Sequence, residues 1–230
     1  MHEILSDKKV VFFDVGYTID YPVSGDWIFT NRFYEIAGER LKKCPSGSIR
    51  SARRAAMDYL AKNHLVRSEE EETDRFRHYF RIVSDMLELR MTEDEIMAVS
   101  LDRAYNMENY AIYPDAERVI RTLGRTYRLG IISDTWPSIG HQLRSLGVLK
   151  YFSFATYSFE LGVFKPDPRM YEDALRKCGC AASETVFIDD GPQNLEGAAK
   201  FGITPVLIAA NPASDVETPY LKIHSLSELL

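Results

Sequence analysis

The pattern of hydrophobic and polar positions changes twice along the chain. Val10–Phe13 is an unbroken apolar run, β-branched at its start, which is typical of a parallel strand buried on both faces. From about Tyr21 to Met107 the apolar residues follow helical spacing and β-branched runs are missing. Beyond Tyr110, strand-like and helical stretches alternate. The pattern therefore predicts an α/β fold interrupted by an all-helical insertion.

The insertion is predicted to hold four helices. Breaks are expected at residues 44–47, around 63–69 and at Thr92. Glu95 lies three residues after Thr92, which is the pattern of a capping box. The acidic run at residues 68–72 is interpreted as a solvated helix start favoured by the helix dipole, rather than as a binding patch.

The alternating regions indicate a doubly wound parallel sheet with right-handed crossovers. Asp115 is a candidate helix cap, and Asp167-Pro168 begins another helix with proline in its first turn. The predicted strands after the insertion cover residues 128–133, 152–157, 185–189 and 203–208, and the predicted helices cover 115–124, 137–146, 167–178 and 192–201. We therefore predict an α/β domain of residues 1–20 and 109–230, with a helical domain of residues 21–108 inserted into it.

Composition and charge narrow the class of partner. The 230-residue chain is 45% hydrophobic, which is enough for a substantial core. Its net charge is −6 and no Lys/Arg-rich run stands out, so neither nucleic acid nor an anionic membrane is expected as a partner. The three cysteines form neither a zinc set nor a disulfide framework, and the Cys178-Gly179-Cys180 stretch is interpreted as a helix end. With no signal-like start and no membrane-length apolar run, a cytoplasmic protein with a small-molecule partner is expected, and the oligomeric state stays open.

Polar side chains lie at the carboxyl ends of several predicted strands, where open α/β sheets bind their ligands. They are Asp14, Ser133, Asp134, Asp189 and Asp190, with Lys165 in a neighbouring loop. A carboxylate can attack phosphorus, while a lysine and a hydroxyl hold the phosphoryl oxygens. A divalent cation held by acids offsets the repulsion between carboxylate and phosphate, and oxygen ligands favour Mg²⁺. The set therefore suits phosphoryl transfer.

Four motifs, in order along nearly the whole chain, resemble those of the haloacid dehalogenase (HAD) superfamily. They are FDVGYT at 13–18, GIIS at 130–133, KPDP at 165–168 and FIDDGPQNLEGA at 187–198. Any one alone would be weak, but four in order on the right elements are a strong signal. The resemblance implies a Rossmann-like core, and it implies that the helical insertion is a cap of the type placed between the first and second motifs.

The resemblance also implies a role for each residue of the reaction centre. Asp14 would be the nucleophile that forms an aspartyl-phosphate. Ser133 and Lys165 would bind the transferring phosphoryl group, with Thr18 and Asp134 as further phosphate-binding candidates.

The implied cofactor is Mg²⁺. Asp14 and Asp190 would bind it through their carboxylates, and Gly16 through its backbone carbonyl. Asp189 and Asn194 resemble direct or supporting ligands of the same metal.

Gly16 departs from the family pattern, because phosphatases of the superfamily usually carry an acid there that protonates the leaving group. Metal binding survives this change, but general acid help, typically worth about 10² to 10⁴-fold, does not. Three explanations remain: another group supplies the proton, the substrate has a good leaving group such as an aryl or acyl phosphate, or turnover is slow and the protein chiefly binds its ligand. Candidates for the replacement acid are Asp20, Asp26, Asp134, His64 and His78.

Two related chemistries also dispense with that acid. Dehalogenases need no metal, so the Asp189-Asp190 pair argues against them. Phosphonatases need a Schiff-base lysine in the cap, and none of Lys42, Lys43 and Lys62 is marked as desolvated. The sequence thus favours a Mg²⁺-dependent phosphatase for a small phosphate ester, with phosphonatase- or dehalogenase-like chemistry, or a weakened phosphate-binding protein, as alternatives.

The chain has two tryptophans, each near a motif. Trp27 lies where the insertion begins, and Trp136 lies three residues after Ser133. Burial of large rings predicts that they seal the interface between insertion and core. The alternative is that they line a pocket for an apolar or aromatic leaving group.

Overall fold

The computed structural model describes all 230 residues and contains a six-stranded sheet and a two-stranded ribbon. The strands are β1 (Val10–Phe13), β2 (Asp20–Pro22), β3 (Tyr110–Ile112), β4 (Arg128–Ser133), β5 (Phe152–Tyr157), β6 (Thr185–Asp189), β7 (Thr204–Ile208) and β8 (Leu221–Ile223). The sheet has the order β5-β4-β1-β6-β7-β8, and every neighbouring pair is parallel. β2 and β3 form the antiparallel ribbon.

Nine α-helices surround or extend this sheet. They are α1 (Asn31–Leu41), α2 (Ser46–Lys62), α3 (Glu69–Met86), α4 (Glu93–Tyr105), α5 (Ala116–Leu123), α6 (Ile139–Ser145), α7 (Ser158–Leu161), α8 (Pro168–Cys178) and α9 (Pro192–Lys200). No helix is both long and apolar enough to cross a membrane.

The central strand β1 is buried on both faces, because its side chains alternate between two cores. Val11 and Phe13 belong to a cluster with residues of α5 and α6. Val10 and Phe12 belong to a second cluster with residues of α8 and α9. The predicted parallel α/β sheet with helices on both faces is confirmed.

Helices α1 to α4 come between β2 and β3 in the sequence, and they pack around a third buried cluster. The predicted breaks fall at the observed gaps between helices, except that α2 already begins at Ser46, inside the predicted break 44–47. The Thr92–Glu95 capping box is present. Trp136 of the sheet region joins this cluster. The helical segment is thereby packed against the loop that follows β4.

Three local predictions are corrected by the structure. Asp115 stands at the N-cap position of α5, but its carboxylate accepts from the backbone and hydroxyl of Ser227, both at 2.7 Å, and not from α5. Helix α6 begins at Ile139 and not at 137, and β7 begins one residue later than predicted. The interpretation of residues 178–180 as a helix end is confirmed, since Gly179 closes α8 in the left-handed conformation.

The acidic run at the start of α3 is only partly solvated, contrary to the prediction. Glu72 is fully buried, whereas its acidic neighbours Glu70 and Glu71 are exposed. Glu72 forms an ion pair with Arg103 at 2.6 Å and also accepts from Ser138. Position in the helix explains the difference, because Glu72 lies one turn before the buried Phe76 and so on the apolar face.

Candidate active site

The ends of three adjacent strands bring the predicted motifs together. β1 lies between β4 and β6, with Phe13 opposite both Ile131 and Ile188. Asp14 follows β1, and its backbone N–H donates to the Ile188 carbonyl at 2.9 Å, which extends the ladder by one step. The residues that end β4 and β6 therefore meet Asp14 at one edge of the sheet.

Lys165 is held between two of the carboxylates. Its Nζ donates to Asp14 Oδ1 and Asp189 Oδ2, both at 2.7 Å, and to the Ile132 carbonyl at 3.1 Å. The side chain is 2% exposed. Burial alone would lower the pKa of Lys165, but Asp14 and Asp189 raise it well above its ordinary value. Lys165 is therefore a fixed cation at the edge of the sheet.

The two acids that end β6 differ in what they face. Asp189 is fully buried, and its oxygens accept from Lys165, from Asn194 Nδ2 and from the backbone of Gly191. Asp190 lines a cavity and accepts from Ser214 at 2.8 Å. The structure thus makes Asp189 the support of Lys165 and Asn194, and presents Asp190 to the cavity.

Negative charge is in excess around Asp14. Burial raises the pKa of Asp14 to about 8, and Asp189 and Asp190 add to this effect against the opposing influence of Lys165. Burial and the neighbouring Asp189 likewise raise the pKa of Asp190 to about 6. Three carboxylates therefore share one lysine, and an additional cation would stabilise their ionised forms.

A cavity of about 590 Å³ opens above Asp14. This volume lies within the range typical of small-molecule sites. The floor includes Asp14, Ser133, Asp134, Lys165, Asp190 and Asn194. The walls are largely apolar and are formed by Trp27, Ile28, Leu60, Phe76, Tyr110, Trp136 and Phe164. The cavity lies between the motif residues and the helical segment.

The Trp27 ring fills the space next to Gly16. A Cβ at position 16 would lie 3.0 Å from Trp27 Cζ2, closer than side chains normally approach. Tyr17 packs edge-on against the same ring, with centroids 5.2 Å apart, and holds the left-handed backbone conformation at φ 54°. The turn after Asp14 therefore packs closely against an indole, and a side chain at position 16 would require the Trp27 ring to shift.

The two tryptophans both seal the interface between insertion and core and line the cavity, so the two alternatives are compatible. Trp136 packs in the core of the helical segment, where its ring meets Phe76 edge-on with centroids 5.0 Å apart. Trp27 stacks on Tyr110 at 6.1 Å. The two indoles close the boundary between helices and sheet, and both also line the cavity.

One predicted phosphate-binding residue lies elsewhere. Thr18 is fully buried, and its Oγ1 has no hydrogen-bond partner. It borders a separate depression with Tyr113 and Asp115, not the cavity above Asp14. Thr18 follows the left-handed Tyr17, and the turn directs its side chain away from the motif residues. By contrast Ser133 and Asp134 do reach the cavity, and Asp134 also accepts from the Lys165 backbone at 2.9 Å.

Most candidates for a replacement acid are engaged away from the cavity. Asp26 is paired with Arg53, which together with two backbone N–H groups lowers its pKa although burial would raise it. His64 is buried against Ser158 and Phe164, and burial lowers its pKa to about 4. Two more candidates lack direct access: His78 bonds to its own helix, and Asp20 accepts from Gln142, which itself lines the cavity. Of the five candidates, Asp134 alone faces the cavity.

Asp20 makes stability depend on pH. Burial raises its pKa to about 7, and its Oδ1 has no partner. The folded state therefore holds a proton that the unfolded chain releases near pH 4, so stability falls as pH rises through about 7. Asp20→Asn is expected to stabilise the protein at pH 8 and to lose roughly 2 to 3 kcal/mol of that advantage at pH 5. Urea denaturation of both proteins at the two pH values measures this; an equal effect at both would contradict it.

Several residues that line the cavity lie outside the four motifs and were not predicted as site residues. Arg103 of α4 lines the cavity, as do Phe76, Tyr110 and Phe164. The helical spacing could have indicated that Arg103 is buried, because it lies four residues after Val99 and seven after Ile96 on the buried face of α4.

Comparison with known proteins agrees with these motifs. The family model that describes haloacid dehalogenase-like hydrolases matches residues 27–202 of this chain. The chain therefore belongs to the haloacid dehalogenase-like hydrolase family.

The relatives include two different chemistries. The phosphoserine phosphatase of Thermus thermophilus is 30% identical over 125 residues, 52% of this chain and 50% of that protein. The (S)-2-haloacid dehalogenase 4A of Burkholderia cepacia is 30% identical over 122 residues, 51% of this chain and 53% of that protein. The chain thus spans about half the length of these two relatives. A crystal structure of a HAD phosphatase from Thermococcus onnurineus matches with a TM-score of 0.66 and 21% identity over 96% of this chain and 95% of that one, a likeness of fold.

Proposed function

We propose that the protein is a Mg²⁺-dependent phosphatase that transfers the phosphoryl group of a small ester to Asp14. The observation that carries the proposal is the pairing of Asp14 with Lys165 on the floor of the cavity, which the carboxylate of Asp190 also lines. Lys165 occupies Oδ1 of Asp14, so Oδ2 is the oxygen for attack on phosphorus. The Ser133 hydroxyl would donate to a phosphoryl oxygen. The Lys165 ammonium, whose three hydrogen bonds go to Asp14, Asp189 and the Ile132 carbonyl, would contribute positive charge at the same place.

The residues present fit Mg²⁺. The Gly16 carbonyl accepts no hydrogen bond from the protein, and the carboxylates of Asp14 and Asp190 line the same cavity. No group of three or more acidic, histidine or cysteine side chains is placed to hold a metal ion. Mg²⁺ is commonly bound by one or two carboxylates with water and substrate phosphate, and an all-protein cage is not needed. When bound there, Mg²⁺ would neutralise the excess carboxylate charge and the phosphate oxygens.

Asp190 supports phosphatase over dehalogenase chemistry. A dehalogenation centre that works without metal gains nothing from a second buried carboxylate beside its nucleophile, since the two acids repel. Burial and Asp189 already raise the pKa of Asp190 to about 6. In a cation-dependent reaction that carboxylate would help to bind the cation.

The leaving group is inferred to be a good one, such as an aryl oxygen. Trp27 occupies the place beside Gly16, and the acid nearest the floor, Asp134, is held by the Lys165 backbone. The aromatic walls suit a flat apolar body. We also propose that residues 21–108 form a cap that closes over the substrate and excludes water.

With Mg²⁺, aryl phosphates are expected to release phosphate about 10² to 10⁴-fold faster than alkyl phosphates, because leaving-group protonation is missing. The measurement is inorganic phosphate release from a series of aryl and alkyl phosphates, with and without a chelator. Halide release from 2-haloacids is followed in parallel.

Equal rates on aryl and alkyl esters would contradict the missing acid. Chelator-insensitive halide release, with no phosphate release from any ester, would overturn the phosphatase proposal in favour of a dehalogenase. Trapping by borohydride on a cap lysine would instead indicate phosphonatase-like chemistry.

A further inference from the structure

Arg103 is a buried cation in the cavity wall with most of its donors unused. It is 8% exposed, and its one hydrogen bond runs from Nη1 to Glu72 Oε1 at 2.6 Å. Its Nε is buried with no partner. A guanidinium carries five N–H donors and holds its charge at all physiological pH values. The group is therefore available to a further acceptor.

Glu72 does not use up this capacity. Its Oε1 accepts from Arg103 and from the Ser138 hydroxyl at 2.8 Å, while its Oε2 accepts from the Ser138 backbone at 2.7 Å. The carboxylate is thus fixed against the start of α6 on one edge of the guanidinium. The guanidinium carbon Cζ of Arg103 lies 4.0 Å from the centroid of the Phe76 ring, and both residues line the cavity.

Arg103 is also the one cation in the lining that has hydrogen-bond donors left for a substrate. The only other cationic lining residue is Lys165, which already holds Asp14 and Asp189. A chain of contacts leads from the reaction centre to Arg103: Gly16 touches Trp27, Trp27 stacks on Tyr110, and the Tyr110 hydroxyl donates to the Arg103 carbonyl at 3.1 Å. An aromatic wall therefore separates the two charged ends of the cavity.

We infer that Arg103 binds a carboxylate carried by the substrate, at the opposite end of its apolar body from the phosphate. This inference rests on the proposed function for the identity of the other end. A guanidinium fork pairs with a carboxylate through two parallel N–H bonds, and its contacts with Glu72 and the Phe76 ring hold the guanidinium in place. Arg103 is thereby a specificity-determining residue.

The first test compares carboxyphenyl phosphate with phenyl phosphate. The readout is the ratio of their kcat/KM values in wild type, in Arg103→Lys and in the charge-balanced double variant Glu72→Gln/Arg103→Gln. In the double variant the ratio is expected to fall at least about tenfold, which corresponds to the loss of one charge-assisted hydrogen bond. In Arg103→Lys the ratio is also expected to fall, because the planar guanidinium fork is lost. Circular dichroism and thermal melting confirm that the double variant folds.

The matched control is Arg128→Gln. Arg128 also lies over an aromatic ring, Phe154, at 5.0 Å, but it stands outside the cavity and donates to the Cys178 carbonyl. The ratio of the two kcat/KM values in Arg128→Gln is expected to equal that of wild type. An unchanged ratio in the double variant, or an equal fall in Arg128→Gln, overturns the inference.

A second readout does not depend on turnover. Benzoate and benzamide are titrated into the protein while tryptophan fluorescence is followed, since both tryptophans line the cavity. Benzoate is expected to bind more tightly than benzamide in wild type, and this preference is lost in the double variant. No preference in wild type overturns the inference. Absent phosphate release with an Arg103-dependent benzoate preference would sink the phosphatase proposal alone.

Discussion

Asp14→Asn is expected to abolish phosphate release, with a loss of about 10⁴-fold or more in kcat, because no other side chain can take its place as nucleophile. The amide keeps the size of the carboxylate but cannot attack phosphorus. The fold should persist, since burial already raises the pKa of Asp14 to about 8 and a neutral group is tolerated there. Phosphate release under single-turnover and steady-state conditions measures the effect.

Asp115→Asn is the matched control. Asp115 is an aspartate with two hydrogen bonds from Ser227, and it lies beside the separate depression. Its phosphate release should equal that of wild type. If Asp14→Asn retains more than a small fraction of wild-type activity while Asp115→Asn is unchanged, then Asp14 is not the nucleophile.

Lys165→Met is expected to remove about 3 to 5 kcal/mol from the free energy of unfolding near pH 8, as well as most of the activity. The substitution leaves Asp14 and Asp189 buried without their common cation, and breaking a buried pair from one side costs about this much. Without Lys165, Asp14 loses the main influence that lowers its pKa, so its carboxylate protonates more readily as pH falls. The destabilisation should therefore shrink at pH 5.

Urea denaturation at the two pH values tests this, with Lys177→Met as control. Lys177 also contacts two acids, Asp173 and Glu160, but it is 26% exposed, and such pairs contribute about 1 kcal/mol or less. The double variant Lys165→Met/Asp189→Asn should recover part of the loss. Equal destabilisation by the two lysine variants would show that the buried triad is not the source of stability.

The sheet and most of its helices could be predicted because each leaves a local signal. The apolar run of β1, the Asp-Pro start of α8 and the helical spacing in residues 69–86 all depend on neighbours in sequence. The convergence of Asp14, Lys165 and Asp190 followed from one topological rule for parallel sheets. Local pattern and topology together thus located the floor of the cavity.

The walls of the cavity could not be predicted, because they depend on contacts distant in sequence. Nothing near Gly16 indicates that the Trp27 indole would lie against it. Asp115 has the pattern of a cap, yet the turn at Ser227, far along the chain, takes its carboxylate. Glu72 belongs to an acidic run that was predicted to be solvated, and Arg103 lies in no motif, although each falls on the buried face of its helix. Their pairing shows itself only when two helices are placed side by side.

The most direct test of the central claim is the mass of the protein quenched in acid during turnover of an aryl phosphate with Mg²⁺. Asp14 as nucleophile predicts one added phosphoryl group on the peptide that contains residues 10–18, sensitive to hydroxylamine and missing in Asp14→Asn. Rapid phosphate release with no such adduct under any quench time, or an adduct on another residue, would contradict it.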